Sequence, residues 1–203
     1  HRAHRRCGIR HAGHVWRILP HARALEAARR RHLLQSLPHH GHLLADDPAW
    51  AARASRFGAK VRDISELLAE DGPRQPASVP GLATATVTYD APCHLQHAQR
   101  ITAPPLKVLA ALPDTTLVPL TDSDQCCGSA GIYSLLEPAL SHDVLAAKLE
   151  SIRDAHPAPT VVATGNPGCL MQIGAGLLAA DIGARAAHPV ELLDEAYRLH
   201  GIY

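Results

Sequence analysis

Aromatic residues are scarce in this chain: one Phe, two Trp and four Tyr amount to 3% of 203 residues. The core must therefore be built mainly from Leu, Val, Ile and Ala. Charge of one sign is missing as well. Twenty basic residues stand against nineteen acidic ones, a net charge of +1 with histidine neutral, and nothing suggests nucleic-acid binding. No run approaches the roughly 18 apolar residues of a membrane span. There is no signal peptide, because His-Arg-Ala-His-Arg-Arg at the start is followed by no apolar stretch. The first residue is not Met, as expected of a fragment. A Ser/His/Asp nucleophile motif, a Walker loop and a GxGxxG fingerprint are all absent.

What is present suits a globular domain with extra segments: 46% hydrophobic and 19% charged residues over 203 positions. Five cysteines without a secretory signal argue for a reducing, cytoplasmic setting. There, clustered thiols bind metal or do redox chemistry more often than they form disulfides.

Residues 1–40 hold eight of the fifteen histidines and nine arginines, without regular ligand spacing. They read as an irregular head, aberrant or disordered, with a metal- or anion-binding tail as the alternative. Residues 41–72 read as helical. Asp46-Asp47-Pro48 is a start signal, and a second helix from Lys60 to Glu70 places Val61, Ile64, Leu67 and Leu68 on one face. Gly72-Pro73 stops it. Residues 73–81, with three prolines in nine positions, are a linker.

From residue 82 to 203 strand and helix patterns alternate. Strands are expected at Thr84–Tyr89, Thr115–Leu120, Thr160–Thr164 and, weakly, Ala184–Ala187. Helices are expected at Leu106–Leu112, around Leu145, Leu149 and Ile152, at Cys169–Leu178 and at Val190–Leu199. This alternation predicts an α/β fold, a parallel sheet with flanking helices joined by right-handed crossovers.

That topology gives the cysteines meaning. Cys93, the vicinal pair Cys126 and Cys127, and Cys169 each follow an expected strand. In a parallel sheet those strand ends share one carboxyl edge, where open α/β sheets bind ligands. Thiolates are soft ligands for an iron–sulfur cluster or zinc. Adjacent Cys126 and Cys127 are ill-suited to a mutual disulfide. Gly128, Ser129, Ala130 and Gly131 leave room for a bulky inorganic group and offer backbone N–H donors. Gly165, Pro167 and Gly168 do the same near Cys169. A helix N-terminus at Cys169 is expected to favour its thiolate. Zinc on four thiolates is the rival reading, and buried cysteine as a small hydrophobe is the bland one. Cys7 lies in the irregular head and is not counted as a ligand. His94 and His97 are candidates for donors around the site or for ligands, with a helix-start contact as the alternative. Asp90 reads as a turn cap, and His188 as an edge residue or a satisfied turn histidine.

The strings YDAPCHLQHAQ (Tyr89 to Gln99), CCGSAGIY (Cys126 to Tyr133), ATGNPGCLMQI (Ala163 to Ile173) and HPVELL (His188 to Leu193) resemble the cysteine-rich "CCG" domain family. CCGSAGIY with GNPGCL is similar to its glycolate oxidase iron–sulfur subunit group, in the C-terminal half. Relatives include lactate-utilisation proteins and heterodisulfide reductase subunits. The resemblance covers about residues 41–200. The fullest family pattern has a fifth cysteine where Asn166 stands, which weighs against the noncubane cluster of five-cysteine members.

The resemblance implies an iron–sulfur electron-transfer subunit, itself non-catalytic. Its cluster, of 4Fe–4S type, would be held by Cys93, Cys126, Cys127 and Cys169, with His94, His97, Asn166 and His188 around it. The implied partners are flavoprotein subunits that oxidise glycolate to glyoxylate. Peripheral association with the inner face of the plasma membrane through that complex is among the arrangements it allows. Glu66-Leu67-Leu68-Ala69-Glu70 echoes Glu191-Leu192-Leu193-Asp194-Glu195, so residues 41–72 read as the remnant of a first CCG unit. The alternatives are a zinc-binding or metal-free docking module of a 2-hydroxy-acid oxidoreductase, and a lactate-utilisation or heterodisulfide-reductase-like subunit.

Overall fold

A computed structural model describes residues 43–74, 84–131 and 133–202. The expected head at 1–40 and most of the linker lie outside these residues. The chain divides into two compact units, one ending at Leu67 and one spanning Leu68–Ile202.

In the first unit the Asp47 carboxylate accepts from the backbone N–H groups of Ala49 and Trp50. Asp47 thus closes a turn, and helix α1 starts later than its start signal, at Ala51–Gly58. Arg53 lies over the Trp50 ring, 4.5 Å from its centroid. Helix α2 is Ile64–Asp71 rather than a helix from Lys60. Asp63 claims the start: its carboxylate accepts from Ser65 N–H at 2.8 Å, and Glu66 returns a bond to Asp63 N–H at 2.8 Å. That reciprocal pair is a capping box, which fixes where helical geometry begins.

The second unit contains β1 (Ala85–Tyr89), a π-helical turn (His94–Ala98), α3 (Ala103–Ala110), β2 (Thr115–Val118) and α4 (Tyr133–Leu136). It continues with α5 (Pro138–Arg153), β3 (Val161–Ala163), α6 (Pro167–Ala179), β4 (Arg185–Ala187) and α7 (Pro189–Leu199). The four strands form one sheet in the order β2-β1-β3-β4, all neighbours parallel. The α/β expectation therefore holds. Burial follows position in the sheet. Central β3 is buried throughout and β1 over its last three residues, whereas edge strands β2 and β4 are each buried only at their last residue.

Proline marks the helix starts. Residues such as Pro138, Pro167 and Pro189 occupy first-turn positions, where a missing N–H costs nothing. The apolar faces of α5 and α6 pack on Val162: Leu145, Leu149, Ile152, Ile173 and Leu177 form one buried cluster with Cys127 and Cys169. Helices α3 and α7 pack against each other. Right-handed crossovers put α3 and α6 on opposite faces of the sheet, because β1→β2 and β3→β4 advance in opposite directions. At Gly176 the α5–α6 approach is tight: a Cβ there would lie 3.0 Å from Leu145 Cδ2.

Ile173 is fully buried in this cluster. Ile173→Ala is expected to cost about 2–5 kcal/mol, since the close-packed surroundings collapse only in part. Urea unfolding of both proteins, read by far-UV circular dichroism, checks this.

Candidate functional site

Strand order places a switch point between β1 and β3. From β1 the chain turns one way to β2, and from β3 the other way to β4. The crevice outside the carboxyl ends at such a point is where open α/β sheets take ligands. The loop after β1 carries Cys93 and the loop after β3 leads to Cys169, so these two flank the crevice. The loop after β2 brings Cys126 and Cys127.

Backbone contacts bring the loops together. Ala91 N–H donates to Ser123 O at 2.9 Å, joining the first loop to the second. His97 Nε2 lies 3.2 Å from Asp124 O and joins the π turn to the second loop. A Cβ on Gly168 would lie 2.7 Å from Ser129 Oγ, so the third loop touches the second. A Cβ on Gly165 would lie 3.8 Å from Pro92 Cγ and 4.0 Å from His188 Nε2. The first loop, the third loop and the end of β4 therefore adjoin.

The thiols lie near enough to act on one another's proton affinity, Cys93 chiefly with Cys126 and Cys127 with Cys169. Cys93 is exposed and Cys126 half-buried, while Cys127 and Cys169 are buried. Backbone donors converge on sulfur as the glycine-rich run predicts. Gly128 N–H donates to Cys126 Sγ at 3.4 Å. The N–H of Ser129 favours the Cys127 thiolate and that of His94 the Cys93 thiolate.

Proton affinity differs from the sequence expectation. The hydrogen bond from Cys169 brings the Cys127 thiol down to about 7. Cys169 itself is pushed up, first by that shared hydrogen bond and then by burial. It is the third residue of α6, but Asn166 Oδ1 already accepts the N–H groups of Gly168 and Cys169, at 2.8 and 3.1 Å. Those helix-start donors are engaged by the Asn166 side chain. Burial raises the Cys93 thiol, and the neighbouring Cys126 adds to this.

Asn166 is thus the cap of α6. His188 is the cap of α7: its Nδ1 accepts from Val190 N–H at 3.1 Å, and Glu191 accepts from His188 N–H at 2.9 Å. This is the turn-histidine alternative, at a position beside Gly165. His94 Nδ1 lies 3.5 Å from Gln99 Nε2.

Sequence reasoning missed the role of Asp90. Its carboxylate is buried and meets Lys148 Nζ at 3.0 Å, both side chains 1% exposed. Burial raises the Asp90 carboxyl above its ordinary range, opposed by the charge of Lys148. The signal lay in α5, where Lys148 falls on the apolar stripe Leu145, Leu149, Ile152. A lysine on a buried face needs a buried partner.

Four soft donors in two pairs, lined by glycine and backbone N–H groups, fit a polynuclear iron–sulfur group, whose thiolates attach to different irons. Among the described residues, no group of three or more His, Cys, Asp or Glu is placed as it stands to hold a metal ion.

The site and fold define a parallel α/β domain that gathers cysteines at its carboxyl edge. Residues 87–174 match the family model of the cysteine-rich domain, CCG. The chain is 34% identical over 165 residues to a probable glycolate oxidase iron–sulfur subunit of Bacillus subtilis (strain 168), covering 79% of this chain and 36% of that protein. It is 31% identical over 157 residues to the glycolate oxidase iron–sulfur subunit of Escherichia coli (strain K12), covering 77% and 36%. Lactate utilization protein A of Exiguobacterium sp. (strain ATCC BAA-1283 / AT1b) is 30% identical over 157 residues, covering 77% and 62%. The chain thus spans between about a third and two thirds of the length of these relatives.

Two substitutions probe the scaffold around the thiols. Gly128 has φ +87°, and a Cβ there would lie 2.4 Å from the Ser141 carbonyl oxygen. Gly128→Ala is expected to destabilise by about 1–3 kcal/mol, because backbone must move. Asn166→Ala should cost about 0.5–2 kcal/mol and Asn166→Asp much less, since aspartate keeps the capping oxygen. Chemical denaturation of the three variants checks both.

Proposed function

We propose that this chain is an iron–sulfur subunit, or part of one, in a 2-hydroxy-acid oxidase of the glycolate oxidase type. Cys93, Cys126, Cys127 and Cys169 hold one 4Fe–4S cluster. The observation that carries this reading is the meeting of three cysteine-bearing loops, distant in sequence, at the carboxyl edge of one sheet. The names of the relatives support it.

Such a cluster supplies a one-electron carrier. The chain's own residues hold it and limit access. Cys127 and Cys169 sit within the apolar cluster of α5 and α6, which excludes water from that side. Cys93 is exposed and gives a partner access. Leu135, Leu136 and Leu140 follow the Cys126–Cys127 loop, Met171 follows Cys169, and all four are exposed apolar residues suited to a docked protein. The partner is a flavoprotein subunit, where glycolate loses two electrons and two protons to become glyoxylate. This subunit passes the electrons on singly and performs no substrate chemistry. No helix among the described residues is long and apolar enough to cross a membrane. Similarity to lactate utilization protein A makes lactate the competing substrate of the whole assembly.

Anaerobic purification followed by iron, sulfide and zinc analysis tests the reading. Iron and sulfide in equal amounts, with a visible absorption band lost in Cys126→Ser, is the expected result. Zinc alone, or no metal in a folded protein, would overturn it in favour of a docking module.

A further inference from the structure

We propose that the buried Asp90–Lys148 ion pair is the positioning element of the thiol site, locking the three cysteine-bearing loops at the spacing that lets four thiolates meet one soft-metal group. This inference rests on the reading of those cysteines as ligands of a single group.

The pair touches every loop. Asp90 directly follows β1 and opens the loop to Cys93, and its own N–H donates to Ala163 O at 2.9 Å. Lys148 Nζ meets Asp90 Oδ1 at 3.0 Å and donates to Asp122 O at 2.6 Å, in the loop to Cys126 and Cys127. Thr164 Oγ1 donates to Asp90 Oδ2 at 3.2 Å, at the start of the loop to Cys169. Thr164 is fully buried. One ammonium and one carboxylate therefore fix three chain segments about a common point, against α5. The contacts between Ala91 and Ser123 and between Gly168 and Ser129 each join only two loops.

Stability alone is a poor reason to keep such a pair. Replacing a buried ion pair by apolar groups of similar volume is often neutral or stabilising. The charges also need each other at this place. Asp90 alone would add a buried negative charge to the scaffold under the thiols. Lys148 offsets that charge while reaching the second loop.

The test uses the full reduced chain without its native group, with cadmium(II) as a soft-metal probe read by thiolate-to-metal absorption. Cys126→Ser reports how much of the signal belongs to this site. The double variant Asp90→Leu with Lys148→Met removes the charges and keeps the volume. It is expected to unfold cooperatively, like the parent, yet to bind cadmium about 10- to 100-fold more weakly, as loss of groups supporting metal ligands commonly does. Thr164→Val, which removes only the tie to the third loop, is expected to weaken binding in the same direction and by less. A merely structural pair would change the melting temperature and leave cadmium affinity alone. A folded double variant that binds as the parent does would overturn the proposal. Where the double variant does not fold, parent-like affinity in Thr164→Val overturns it instead. A parent that lacks iron and sulfide but loses cadmium affinity in these variants would overturn the iron–sulfur reading and support the positioning role.

Discussion

The site depends on the parallel direction of the sheet. In a parallel ladder every strand ends on the same edge, so three segments from distant parts of the sequence are delivered to one side, where contacts between them can form. Reversing one strand would carry its cysteine to the far edge. The order β2-β1-β3-β4 adds the second condition. With β1 and β3 adjacent and their connections diverging, neither crossover covers the crevice, and it stays open to a ligand. Burial of β3 on both faces secures the arrangement, because Val161, Val162 and Ala163 leave it no polar face that a register shift could expose at low cost.

Convergence is completed by close backbone approach. Gly128 stands where a Cβ would strike the Ser141 carbonyl of α5, and Gly168 where one would strike Ser129 Oγ in the vicinal-cysteine loop. Ser141 is buried and donates to Gly128 O at 2.7 Å while accepting from Gln172, so α5 and α6 both hold the vicinal cysteine loop. Buried polar groups of this kind carry a desolvation cost and are tolerated only when satisfied. Here each joins an element of the scaffold to a loop that bears a thiol.

Much of this was legible in the sequence because it is periodic or punctuated. The strands and the helices after residue 84 follow apolar period and proline, and their observed ends differ by a few residues. The four site cysteines were visible through their place after strand-like runs. Asp90 was read as a turn cap because its partner lies 58 positions away, on a helix (90 to 148), and side-chain pairing at that separation leaves no local pattern. Asn166 and His188 are expected around the thiols, and the structure shows each capping a helix, a role that depends on φ and ψ at single residues. Cys169 shows the limit most clearly. Its place in the first turn of a helix is legible, yet its proton affinity is set by Cys127 and by burial, neither of which leaves a local sequence pattern.

The wide separation of the loops has a consequence for biosynthesis. Cys93 and the vicinal pair leave the ribosome well before Cys169, which lies 42 positions beyond Cys127 (127 to 169). The crevice does not exist until β3 has paired with β1. A group bound by all four sulfurs could therefore be captured only after β3 has been made and has joined the sheet. Until then the thiols synthesised first have no partner from the third segment.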